Sequence, residues 1–258
     1  MKRCLILLLI GIASGALLFS QSQGESVESS FTLSGSSGYI TLPSASIATS
    51  YQSPALVTGY SAIYDLSRGF AHIPFVQLAL KNRFETSLAA DITDGNVDGL
   101  LQAKWRFFQK ENTAIAVGAV GQWHQIGETN SWGAQVYGVS TFNSTFINWP
   151  SKTSLLIGYT FSEVMNSNID FGMGFEAPLW QKVFKGNVNF LIDFGNVSYS
   201  THPSAGNPTD RGMLNIGARL LPITILPSTY LSADIRLIDI FDHSGRAIST
   251  ALSISIKP

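Results

Sequence analysis

The ten residues RFETSLAADI, Arg83 to Ile92, carry the decision about the fold. One alternate set is Phe84, Thr86, Leu88, Ala90 and Ile92; the other is Arg83, Glu85, Ser87, Ala89 and Asp91. Strict apolar/polar alternation is the period-2 signature of a β-strand with two unlike faces. The question it raises is which face meets water, and where that water is.

Working outward, the same alternation recurs in short segments separated by turn-forming clusters, and a 3.6-residue period is almost nowhere found. The clearest are Leu100 to Gln109, Thr113 to His124, Trp132 to Phe142, Lys152 to Phe161, Asn168 to Ala177, Asn187 to Val197, Gly212 to Leu221, Thr229 to Asp239 and Ala247 to Lys257. With RFETSLAADI and the less regular Ala55 to Asp65 and His72 to Leu80, the pattern predicts about 12 strands (range about 10–14), each near the ~9–11 residues a tilted strand needs to cross a bilayer. Lys81-Asn82 reads as a two-residue hairpin loop, Lys110-Glu111-Asn112 as a three-residue one, and Thr93 to Gly99 carries Asp-Gly turn chemistry. If the first strand starts in the periplasm, the Lys81 and Lys110 turns are periplasmic. The longest connection, Ser198 to Arg211, then faces outward.

Charged residues make up only 13% of the chain, while Gly (23), Phe (16) and Tyr (8) are abundant. That is about half the charge of an average soluble domain, where it is roughly 25%. The net charge of −1 offers no basic footprint for nucleic acid. Residues 1–22 read as a cleaved signal peptide: Lys2 and Arg3 precede an apolar run from Leu5 to Phe19, followed by small and polar residues. The lone Cys4 lies ahead of that run, so the exported chain is expected to carry no disulfide. Residues 23–53 form a polar, Ser-rich segment that is either periplasmic or lumenal, and residues 54–258 are the barrel.

Periodicity alone fits a secreted periplasmic β-sandwich as well as a membrane barrel. The composition of the faces favours the barrel. One face is large and apolar on nearly every strand, and Phe84, Leu88, Trp105, Phe107, Trp123, Phe171, Phe175, Phe190, Phe194 and Ile254 are expected to face lipid. The other mixes isolated charges of both signs with Gly, Ala, Ser and Asn. Arg83, Glu85, Asp91, Lys104, Arg106, Asp170, Glu176, Asp193, Arg219, Asp234 and Arg236 are expected to line the lumen. Hydrocarbon offers no partner for an open sheet edge, so a membrane-spanning sheet must close. The fold class is therefore all-β, a transmembrane antiparallel up-and-down barrel. Trp123 and Trp132 flank one proposed outer loop, and Trp149 and Trp180 lie in connections on the other side, as two aromatic girdles require. Trp105 falls nearer mid-strand.

The leader and strand series together resemble bacterial outer-membrane β-barrel proteins. A narrower likeness begins at Gly38-Tyr39-Ile40-Thr41-Leu42-Pro43-Ser44-Ala45, followed by VTGYSAIYDL. It resembles the opening of YjbH-like outer-membrane proteins associated with exopolysaccharide export and of some uncharacterised spirochaete barrels. The resemblance implies outer-membrane lipid and the barrel-insertion machinery as partners. The final strand departs from it: the insertion machinery recognises a terminal aromatic in many such barrels, whereas this sequence reads Ile256-Lys257-Pro258.

No catalytic motif is present, no cofactor fingerprint, and none of His72, His124, His202 and His243 has a second ligand at i+2 or i+4. Only His124 falls on the lumen face near a rim. A dyad assembled from distant strands, as in barrel lipases and proteases, remains the enzymatic alternative. The expected function is a small passive pore for hydrophilic solutes, or a closed barrel in which Arg106, Arg219 and Arg236 pair with Asp170, Asp193 and Asp234 across a narrow bore. The alternative class is a surface interaction protein that uses its outward loops, Ser198 to Arg211 first, on a barrel anchor.

Overall fold

A computed structural model describes residues 30–48, 53–65, 69–126, 131–162, 168–206, 212–242 and 245–257. The proposed leader and His243 lie outside the described residues. Twelve antiparallel strands follow one another around a closed barrel: β1 (Ala55–Asp65), β2 (Gly69–Leu80), β3 (Phe84–Thr93), β4 (Asn96–Lys110), β5 (Thr113–His124), β6 (Ser131–Phe146), β7 (Trp149–Ser162), β8 (Asn168–Pro178), β9 (Val188–Gly195), β10 (Met213–Leu226), β11 (Thr229–Ile238) and β12 (Ala247–Ile256). β1 closes on β12 from Leu56↔Ile256 through Asp65↔Ala247, so no ladder edge is left, and the sandwich reading is excluded.

The turns fall into two sets. At the end where β1 begins and β12 finishes, here the near end, Lys81-Asn82 and Ile147-Asn148 each hold two consecutive positive-φ residues. That backbone matches the right-handed twist of paired strands. Two loop lengths differ by one residue from the expectation. Leu80 pairs with Phe84, leaving three residues between β2 and β3, and Lys110 pairs with Thr113, leaving two between β4 and β5. Pro178 to Gly186, which blurs the short-turn pattern in sequence, contains a single helical turn, α1 (Gln181–Phe184). The far end carries the Asp94-Gly95 turn and the long β9–β10 connection.

On the outer wall, Leu88 is 56% exposed, and Phe84, Trp105, Phe107, Trp123, Phe171, Phe194 and Ile254 are exposed too. Phe175 is half covered because Phe146 packs edge-on against it, and Phe190 is also half-buried. Trp105 is displaced from the expected mid-strand position: it stacks on Phe84, the first residue of β3, and so belongs to the near-end aromatics.

Inside, β1 and β2 present apolar residues on both faces. Val57, Ile63, Ile73 and Phe75 point into the barrel and are buried, while Leu56, Tyr60, Val76 and Leu78 on the opposite face are exposed. Inward apolar side chains need something apolar to cover them. Residues 30–48 do so. They lie inside the barrel, all but Ser46 buried, and pass through all three inner apolar clusters. Leu33 and Ile40 join Ile63, Ile73 and Leu100; Tyr39 and Leu42 join Val120, Tyr137 and Leu156; Phe31 and Ile47 join Val57 and Phe75.

Candidate functional site: a lumen filled from both ends

The inward segment is a compact double turn. Phe31 bridges Ser37, Gly38 bridges Pro43, and the N–H groups of Leu33 and Tyr39 donate to the carbonyls of Ile40 and Leu42. Several of its other main-chain groups are met by charged side chains of the wall. The Asp193 carboxylate accepts three successive amides, Ile40 at 2.8 Å, Thr41 at 2.8 Å and Leu42 at 3.2 Å, and the Asn215 amide at 2.6 Å. Consecutive N–H groups converging on one carboxylate make an anion nest.

Arg219, fully buried, works in the opposite sense. It donates to the carbonyls of Gly38, Phe31 and Tyr39 at 2.9–3.1 Å, while Nε and Nη2 grip Asp234 at 2.9 and 2.8 Å. Arg236 donates to the Phe31 carbonyl and to the same Asp234. Glu85 accepts the Ser37 amide at 2.8 Å, the Ser37 hydroxyl at 2.6 Å and the Ser36 hydroxyl at 2.9 Å; Lys104 bridges Glu85 and the Ser37 carbonyl, both at 3.0 Å. Glu176 takes the Ser30 hydroxyl at 3.2 Å and pairs with Lys152 at 3.0 Å.

Glu85 and Lys104, Lys152 and Glu176, and Arg219 and Asp234 are direct cross-strand neighbours in the ladder. The ion pairs are thus local to adjacent strands, where opposite charges face one another at short range. This replaces the expected pairing across the bore. The centre is occupied by chain, so Asp193 binds main-chain amides, Asp170 takes Thr160 and Gln135, and Arg106 donates to the Asn82 carbonyl. Arg83 departs from the lumen set altogether. The β2–β3 turn is one residue longer than read, so Arg83 sits in the turn and is exposed.

The glycines of the inner face find their reason here. A Cβ on Gly174 would stand 2.3 Å from the Tyr39 ring, and one on Gly172 would stand 2.3 Å from Leu42 Cδ1. The wall of β8 is thinned where Tyr39 and Leu42 press against it. The Tyr39 hydroxyl then reaches Ser154 Oγ at 2.8 Å.

The far end is filled by the β9–β10 connection. This corrects the expectation that Ser198 to Arg211 faces outward: of its described residues, 198–201, 205 and 206 are buried. The Tyr199 hydroxyl donates to Asp91 at 2.7 Å, and the Ser204 hydroxyl does the same at 2.7 Å. Burial first, and then the Asp91 carboxylate beside it, push the Tyr199 hydroxyl well above the ordinary tyrosine range, which keeps it a donor. Gln122 Oε1 receives the Thr201 amide and hydroxyl and, at 3.1 Å, the Ser200 hydroxyl. Tyr199 and Ala205 share a cluster with Leu33 and Ile40, so the two fillings meet mid-barrel. Between the connection and the rim remains a cavity of about 540 Å³, lined by Ile63, Phe70, Asp91, Asp98, Thr201 and His202 among others.

No family model matches this sequence, and no curated protein does. Solved structures do match in fold. The KdgM porin superposes with a TM-score of 0.51 at 8% identity, covering 78% of this chain and 98% of that one. The KdgM porin in complex with disordered oligogalacturonate gives 0.51 at 7% identity over the same shares. The outer membrane protein Omp33 of Acinetobacter baumannii gives 0.44 at 8%, covering 81% of this chain and 100% of that one. The chain has the porin-like β-barrel fold of bacterial outer-membrane proteins. Nothing in these comparisons carries the narrower YjbH-like resemblance.

Proposed function

We propose that the chain is an exported outer-membrane β-barrel whose bore is closed at rest by its own residues 30–48, and that it passes small hydrophilic solutes only when this plug leaves and the β9–β10 connection, packed against it through Leu33 and Ile40, loosens with it. The observation that carries the reading is that Asp193, Glu85 and Arg219, the charges a water-filled lumen would turn to solvent, are committed to main-chain atoms of that segment. The apolar outer wall supports a membrane location, and the near-end turns, short apart from that holding α1, support its assignment to the periplasm. With 30–48 withdrawn, carboxylates and guanidinium groups of both signs would line the bore, which argues against strong ion selectivity. A pore without an occupant and a docking surface on the β9–β10 connection are less well supported, since the described part of that connection is mostly buried.

The test is conductance of the refolded chain in planar bilayers. The wild-type barrel is expected to be silent for most of the record, and Gly174→Val, which drives a side chain into the Tyr39 ring, to open frequently. A wild type that conducts steadily would overturn the closed reading.

A further inference from the structure

The far-end rim holds a side-chain group that the plug does not use. Asp98 at the start of β4, His124 at the end of β5 and His202 in the β9–β10 connection bring one ligand atom each to within 4.8 Å of one another. Asp98 Oδ2 lies 3.1 Å from His124 Nδ1 and 3.4 Å from His202 Nδ1. Two ligand atoms on a tetrahedral zinc ion, each at about 2.0–2.2 Å, are separated by roughly 3.3 Å. The spacing of the donors is that of ligands around one metal.

Hydrogen bonding orients the two buried ligands, His124 and Asp98. Gln122 Oε1 accepts the Thr201 backbone N–H, which can only donate, so this atom is the amide oxygen. The Thr201 hydroxyl, 2.9 Å from the same oxygen, gives it its proton and receives the His124 Nε2–H at 2.7 Å. His124 Nδ1 is thereby left facing Asp98 Oδ2 at 3.1 Å, the edge of the ring that a shared ion would occupy. The other oxygen of Asp98 is occupied by the Gln125 amide at 2.8 Å. Such outer partners are what hold metal ligands in position.

We propose that Asp98, His124 and His202 bind a divalent transition-metal ion, with zinc as the reference, and that the ion clamps the β9–β10 connection to the barrel wall. Two nitrogens and one carboxylate oxygen suit zinc, copper and nickel better than calcium or magnesium. Asp98, Thr201 and His202 also line the cavity, which gives the ion a route in and leaves its fourth position to water. His202 is the one exposed ligand, so the site is completed only when the connection is docked.

The test uses the full chain refolded in detergent, stripped with a chelator and titrated with zinc by calorimetry, its fold checked by the heat-dependent gel shift. Wild type is expected to take up one equivalent, and His202→Ala and Asp98→Asn to bind at least tenfold more weakly. Zinc should also slow amide exchange across residues 199–206 in wild type and not in His202→Ala. Absence of zinc uptake, or equal uptake by both variants, overturns the site and leaves only protonated histidines beside a carboxylate. Uptake without slowed exchange overturns the clamp. The site does not rest on the plug, so either failure leaves the conductance result standing.

Discussion

Replacing Asp193 by alanine tests the plug at its most concentrated point. Oδ2 alone receives the amides of Ile40, Thr41 and Leu42, and Oδ1 receives the Asn215 amide and, at 3.4 Å, the Thr41 hydroxyl. Abandoning a buried donor costs about 1–3 kcal/mol. Three such donors set an upper range of about 3–9 kcal/mol, and water entering the space left by the carboxylate lowers the cost to about 3 kcal/mol. At about 1.4 kcal/mol per factor of ten, plug release should become roughly 100-fold more frequent. Asp193→Asn keeps the oxygen serving the three amides and turns an NH₂ toward the Asn215 donor, so its effect should be smaller and of the same sign. The assay is residue-resolved hydrogen exchange at Ile40, Thr41 and Leu42, with Asp170→Ala as the control, since the Asp170 carboxylate takes Thr160 and Gln135. Unchanged protection of the three amides in Asp193→Ala would refute the reasoning, and so would equal loss in the control.

Two further perturbations address the wall and the far end. Leu88→Arg puts a cation on the outer wall, where it should cost about 2–4 kcal/mol if Leu88 sits near the bilayer midplane; urea titration in lipid vesicles should show that loss, and Leu88→Ala should show far less. Gly133→Val places a Cβ 2.4 Å from Thr201 Oγ1, so exchange across residues 199–206 should rise at least tenfold while the heat-dependent gel shift persists; unchanged exchange would mean that the connection docks without that contact.

The barrel was legible because alternation is imposed residue by residue: RFETSLAADI already separates Phe84 and Leu88 from Glu85 and Asp91, and one slip of register would reverse the faces. What fills the barrel was less legible. Asp193 reads in sequence as a lumen charge, and nothing local to it announces that its partners are amides some 150 residues earlier. Two signals did exist. β1 and β2 carry apolar residues on both faces, which a water-filled bore does not explain, and Gly172 and Gly174 lie between Asp170 and Glu176 on the inner face of the strand that must make room for Tyr39 and Leu42. The rim triad was invisible to spacing rules, because its three ligands come from two strands and a connection and only their docking brings them together.

Because Asp193, Glu85, Arg219 and Lys104 all hold main-chain atoms of the plug, the wall reads the path of that segment more than its side chains. The burden of specificity then falls on whatever forces the path. Gly38 is the critical point: a Cβ there would lie 2.3 Å from the Leu42 carbonyl oxygen and 2.8 Å from Pro43 Cα, both backbone atoms that cannot swing aside. Gly38→Ala therefore adds one methyl group, removes no charge and touches no wall strand, yet should open the Gly38–Pro43 bridge and misalign the three amides aimed at Asp193. The expected outcome is a barrel with unchanged stability to urea, raised channel activity, and exchange at residues 40–42 like that of Asp193→Ala. If Gly38→Ala stays silent and protected, the plug's path is set by the wall charges alone. The double mutant with Asp193→Ala separates the cases: near-additive effects would mean independent contributions, whereas saturation would mean that both act by releasing one common segment.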